Sequence, residues 1–207
     1  MKYEALAYWY FRLNGFLTTV NFVLHPRRGG SQRTDADILG IRFPYRAEFP
    51  EGTESDEPEF AGTLLPFFVI AEITRGECKL NGPWTDPDRG NIGAVLSAIG
   101  VYPPETVSAI AQLLYRDGRG EQSGTIGSLF CVGNAQNSTL RSRYPAVPQK
   151  TWGEITAFIW RRFRAHRTTK TDVEQWDSTG QQLSELSIRS LSDFERAVRE
   201  SCGLPRA

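Results

Sequence analysis

Three segments rich in β-branched and aromatic residues follow one another early in the chain: 16–24 (FLTTVNFVL), 36–43 (ADILGIRF) and 65–74 (LPFFVIAEIT). Each has the length of a strand and is flanked by Gly, Pro or Asn. Residues 90–99 and 104–116 then read as two helices. The second opens on Pro103-Pro104 and stops at Asp117-Gly118, the asymmetry expected of helix ends. Residues 125–132 (TIGSLFCV) read as a fourth strand. Consecutive strands can pair as an antiparallel meander, and a helical crossover allows the next strand to return parallel. This order restricts the chain to an α/β fold, a mixed four-stranded sheet flanked by helices.

The remaining segments are helical or loop-like. Residues 1–13 carry Tyr3, Leu6, Ala7 and Tyr10 at helical spacing and are stopped by Asn14-Gly15. Thr151 and Glu154 form a capping-box pattern for a helix reaching about Arg167, with Ile155, Phe158, Ile159 and Phe163 as its apolar stripe. Ser192 and Glu195 suggest the same box for a last helix over 192–201. Residues 151–207 therefore read as a C-terminal helical extension packed on the same domain as 1–150, with no boundary between them.

The net charge of zero conceals an asymmetry. Residues 47–60 (AEFPEGTESDEPEF) hold six acidic groups and no basic one. Together with its flanks (about 46–62), this segment reads as an exposed, mobile insertion. Arg161, Arg162, Arg164, Arg167 and Lys170 crowd the end of the penultimate helix, a surface suited to a polyanion or simply a solvated helix face. Three widely spaced cysteines argue against a disulfide framework or structural zinc site and fit a cytoplasmic setting. Two histidines, His25 and His166, exclude a multi-histidine metal centre. No apolar run approaches a membrane span.

Carboxylates stand where strands should carry apolar residues. In "RTDADILGIRFP", Asp35 and Asp37 lie on one side at the start of the second strand; in "FFVIAEITRG", Glu72 lies inside the third. If these strands are neighbours, Asp37 and Glu72 converge at one sheet edge. Carboxylates that close repel, and a hard divalent ion such as Mg²⁺ or Mn²⁺ relieves the repulsion. A lysine nearby would add positive charge where a phosphodiester transition state accumulates negative charge.

The blocks "NGF…VNFVLHP", "QRTDADILGIRFP" and "FFVIAEIT", following an initial helix, resemble the PD-(D/E)XK nuclease superfamily, nearest its Holliday-junction-resolvase-like and restriction-endonuclease-like bacterial members. The likeness covers roughly residues 1–132 and includes the "RTDAD" and "NGPW" blocks. It implies a restriction-endonuclease-like αβββαβ core and a Mg²⁺- or Mn²⁺-dependent nuclease hydrolysing DNA phosphodiester bonds. Asp37 and Glu72 would bind the metal, and Ile73 would lend it a backbone carbonyl. Bacterial proteins of this kind often serve as effectors of anti-phage systems, a role the resemblance extends to this chain as an expectation.

The pattern is broken at Thr74, where the superfamily carries lysine. Lys79 and Arg75 are the candidate replacements. Strand alternation turns Arg75 away from Glu72, while a bend at Gly76 brings Lys79 back, so Lys79 is taken as the catalytic cation. Asp35 is either a further ligand or a partner of Arg33. Glu4 reaches the site from the first helix or faces solvent. His25 contacts phosphate or bonds its loop. Arg27, Arg28 and Arg33 beside the site, with Arg161, Arg162 and Arg164, are the candidate nucleic-acid contacts. Tyr3, Trp9, Tyr10 and Trp84 read as packing. Trp152, Trp160 and Trp176 flank the arginine-rich helix and suit nucleic acid or a protein partner, a second copy included. Two classes of function stay open: a nuclease, or a catalytically impaired subunit of the same fold that binds nucleic acid or protein. A third is an effector held off by its own acidic segment, 47–60, lying in the basic cleft.

Overall fold

A computed structural model describes residues 1–25, 34–46, 56–167 and 176–205. The first helix, α1 (Tyr3–Leu13), leads into β1 (Leu17–Leu24), β2 (Thr34–Arg42) and β3 (Phe67–Ile73). A short helix α2 (Gly82–Thr85) precedes α3 (Asn91–Ile99) and α4 (Val107–Asp117). The chain continues through β4 (Arg119–Gln122), β5 (Thr125–Gly133), α5 (Ser138–Arg143) and β6 (Gln149–Thr151), then α6 (Trp152–Ala165), α7 (Ser178–Leu186) and α8 (Leu191–Cys202).

The strands form one open, mixed sheet in the order β1-β2-β3-β5-β4, with β6 also on β5. β1, β2 and β3 make the antiparallel meander. The α3–α4 crossover returns β5 parallel to β3, and Gly118 ends α4 in the left-handed conformation (φ 71°). Among the described residues the expected four strands become six. β4 pairs antiparallel with the first half of β5, and β6 pairs parallel with its end. Neither additional strand is legible as a pattern, since one is polar (RGEQ) and the other three residues long.

Both faces of β3 are covered, so all seven of its residues are buried. Phe67, Val69, Ala71 and Ile73 pack into the layer formed by α1, α6, α7 and α8. Phe68 and Ile70 join the opposite layer, with α3 and α4. α6 is part of the main core: its stripe Ile155, Phe158, Ile159 and Phe163 lies against α1, behind the expected Thr151–Glu154 capping box. α8 starts one residue earlier than expected, and its cap moves two residues, from Ser192 to Ser190, with Asp193 at the third position.

The acidic segment departs from expectation where it is described. Phe60 is fully buried among Phe11, Phe16, Phe67 and Phe130, and Glu57 is buried as well. Asp56 accepts from Arg42 (2.5 Å) and Arg46 (2.7 Å); Lys150 bonds Glu57 (2.6 Å) and Glu59 (2.8 Å). The end of the insertion is thus a core element clamped by cations, and residues 47–55 lie outside the described residues.

Candidate functional site

The site begins where the sheet stops pairing. β2 and β3 are in register down to Ile38↔Ala71, which sets Asp37 and Glu72 opposite one another at the next step. On the other side of β2, pairing with β1 skips Asn21, the residue facing Asp37, whose φ of 51° lies in the left-handed region that Asn tolerates. The Ile73 N–H, beyond the last paired residue, donates to Asp37 Oδ2 (2.8 Å). A carboxylate therefore takes the place of a backbone acceptor, and its orientation is fixed by β3.

Glu72 is buried but its carboxylate is satisfied by neutral donors. Trp84 Nε1 donates to Oε2 (2.6 Å), and Asn81 Nδ2 donates to Oε1. Both donors come from the "NGPW" block, whose proline starts α2. Burial first, then the charge of Asp37, push Glu72 up from 4.5 to about 7, against the Trp84 hydrogen bond and the Lys79 charge, which favour ionisation. Asp37 is also raised, by burial first and then by Asp35 and Glu4, with the Ile73 N–H opposing. Glu4 thus reaches the site through its field.

These groups line a cleft of about 450 Å³ that also includes Tyr3, Asp35, Thr74, Arg75 and Lys79. The expected exclusion of Arg75 does not hold. β3 ends at Ile73, so alternation no longer governs residue 75, and Arg75 enters the cleft over the Tyr3 ring (5.0 Å to its centroid). Tyr3, expected to be packing, is a cleft residue. Trp9 and Tyr10 are buried packing, as is Trp84, although its indole also serves Glu72. Thr74 offers no charge, and its Oγ1 accepts from the Gly76 N–H (3.2 Å).

The cationic residues divide. Arg27, Arg28 and Arg33 lie outside the described residues. Arg162 is not a surface contact: it is 2% exposed, donates to the Leu13 carbonyl (3.2 Å) and lies 3.7 Å from Asp56. Its position, four residues after Phe158 and seven after Ile155, falls on the apolar stripe, a signal the sequence did contain. Arg161 is exposed beside Glu57 (3.4 Å), and Arg164 is exposed over Trp160. Trp152 is buried and Trp176 packs on Trp9 and Phe163, so these rings are mainly internal. His25 lines a different groove, between α3 and α4.

Among the described residues no group of three or more His, Cys, Asp or Glu side chains is gathered to hold a metal, so a site here has two carboxylates at its centre. That fits Mg²⁺ or Mn²⁺, which are often held by one or two carboxylates with water completing the shell. Each carboxylate oxygen has two lone pairs, so the Asn81, Trp84 and Ile73 bonds orient the two carboxylates without exhausting them. No helix among the described residues is long and apolar enough to cross a membrane. The chain matches no protein-family model, no curated protein and no solved structure.

Proposed function

We propose that the chain is a divalent-metal-dependent nuclease of the PD-(D/E)XK type, acting on DNA. The observation that carries the proposal is Asp37 opposite Glu72 at the unpaired end of β2 and β3, in a cleft that also holds Lys79. The element order supports it too: a helix, a three-stranded meander, a helical crossover and a strand parallel to β3 match the αβββαβ core of a restriction-endonuclease-like fold.

Asp37 and Glu72 would hold Mg²⁺ or Mn²⁺, with Ile73 as the neighbouring backbone ligand. When bound, the ion polarises a phosphodiester and lowers the pKa of water. The chain does the rest. The Ile73 N–H fixes Asp37, and Asn81 and Trp84 fix Glu72. Lys79 brings charge to the transition state in place of the strand lysine that Thr74 replaces. Preorganised ligands need no rearrangement when the substrate arrives.

The test is plasmid and oligonucleotide cleavage with Mg²⁺, Mn²⁺ or EDTA, beside Asp37→Asn and Glu72→Gln. Cleavage should need the metal and fall at least about 100-fold in either variant. Equal background in all three proteins would remove the nuclease. One observation favours a second reading, a nucleic-acid-binding subunit with impaired catalysis. Thr74 is uncharged and engaged in a turn, so no cation sits on β3 beside Glu72. Binding without cleavage in any metal would select it.

A further inference from the structure

Beyond Ile73 the chain makes a turn that is tied down on both sides. The Thr74 N–H donates to the Val132 carbonyl (3.0 Å), and the Thr74 carbonyl accepts from Trp152 Nε1 (3.0 Å). The Gly76 carbonyl accepts from the Asn134 N–H (2.5 Å), and the Cys78 N–H donates to the Ala135 carbonyl (2.8 Å). Gly133 permits this close approach, since a Cβ there would come within 2.6 Å of the Gly76 carbonyl oxygen. A surface turn anchored this way presents its side chains with little entropy left to lose on binding.

Arg75 is the cation this turn presents. It is exposed, lines the cleft of Asp37 and Glu72, and has its guanidinium over Tyr3. The Tyr3 ring is itself set edge-on to Trp152, at 6.0 Å and 77°. One tryptophan therefore fixes both the backbone before Arg75 and the ring beneath it. Arg42 and Arg46 bond Asp56 and Arg199 bonds Glu195, whereas Arg75, like Arg12, Arg143 and Arg164 elsewhere, is set over a ring; of these only Arg75 lines the cleft. Among the described residues Arg75 has no carboxylate partner within ion-pair distance. A guanidinium over a ring keeps its planar N–H edge for an acceptor, and that edge matches two oxygens of a phosphate.

We infer that Arg75, seated on Tyr3, contacts a backbone phosphate of the nucleic-acid strand that crosses the cleft. The inference rests on the nuclease reading and gives that site a binding residue separate from the carboxylates and from Lys79. Tyr3 is a positioning residue, acting through Arg75.

Fluorescence anisotropy with labelled single-stranded and duplex DNA in EDTA, at several salt concentrations, isolates binding from cleavage. Arg75→Ala should weaken binding roughly tenfold, the loss of one charge-assisted contact, and make the slope of log K against log salt shallower by about 0.7–0.9. Arg75→Lys should keep the slope while recovering only part of the affinity, because a point charge does not reproduce the fork. Tyr3→Phe should bind like wild type and Tyr3→Leu less tightly. Melting curves of Arg75→Ala should match wild type, since the side chain is exposed. Wild-type affinity and slope in Arg75→Ala, alongside Glu72-dependent cleavage, would overturn the inference and leave the nuclease standing. Arg75-dependent binding with no cleavage in any metal would do the reverse. A wild-type protein that binds neither DNA and cuts neither with Mg²⁺ or Mn²⁺ would overturn both.

Discussion

Two groups of acids, each with one buried carboxylate (Glu57 and Glu72) and half-buried neighbours, face opposite circumstances in this molecule. Asp56, Glu57 and Glu59, at the end of the acidic segment, meet Arg42, Arg46, Lys150 and Arg161, so their charge is cancelled within the chain. Asp37 and Glu72 meet a backbone N–H, an indole and an amide, all neutral, and they also repel one another. Burial costs both groups hydration, but only the first recovers it from internal cations. The first group therefore behaves as structure. The second is left wanting a proton or a cation from outside, the condition in which functional carboxylates are found.

If the first group is structural, removing one of its cations should produce the largest loss. Lys150 is buried, and although burial pulls its pKa down, the hydrogen bonds to Glu57 and Glu59 more than offset that and hold it above its usual value. Lys150→Met removes the cation shared by Glu57 and Glu59, leaving Glu57 with Arg161 alone, and should cost about 3 kcal/mol in urea unfolding. A loss below about 1 kcal/mol would show that these acids are hydrated after all, and the contrast with the cleft would collapse.

The cleft pair should announce itself through pH, with a smaller effect. Glu72 has a folded pKa of about 7 against 4.5, so the folded state binds the proton more tightly. Its favourable contribution is complete below about 4.5 and is lost as pH rises through about 7. Wild type should lose on the order of 2–3 kcal/mol between pH 5 and 8 from this group. Glu72→Gln should flatten the profile, because Gln does not titrate and Asn81 can turn its amide to accept from the new NH₂. Any residual slope of the same sign belongs to Asp37, which is also raised. Parallel profiles for the two proteins would show Glu72 to be ordinary.

How far the sequence disclosed this contrast depends on the range of the interactions. Strands with dense β-branched and aromatic content, and helices with proline and glycine ends, could be read within two or three residues, because their signals are local. α7 (STGQQLSEL) gave little apolar periodicity and was not expected, since its burial comes from Trp9 closing over Gly180. The same division holds at the site. Asp37 and Glu72 could be paired from strand order and spacing alone. Asn81 and Trp84 reach Glu72 only through the path of the loop after β3, and no periodicity encodes that path. Nor could the acidic segment be recognised as buried, because Lys150 and Arg161 reach Glu57 from 93 and 104 residues away and no periodicity links the nearer Arg42 and Arg46 to Asp56.

The finest distinction between the two groups is their response to added Mg²⁺. Acids already paired with arginine and lysine offer a divalent ion little, since it would have to displace a bonded cation first. Among the described residues Asp37 and Glu72 have no bonded cation to displace, only the proton and the more distant charge of Lys79. Mg²⁺ at several times its Kd should therefore stabilise wild type by about 1 kcal/mol at pH 8. At pH 6 the gain should shrink, because Glu72 is then mostly protonated and metal binding must expel that proton. The same melts on Glu72→Gln should show little gain at either pH, whereas Arg161→Ala, at the edge of the acidic segment, should keep the full gain. A Mg²⁺ effect that survives Glu72→Gln but is altered in Arg161→Ala would move the ion-binding acids from the cleft to the segment and invert the assignment of the two groups.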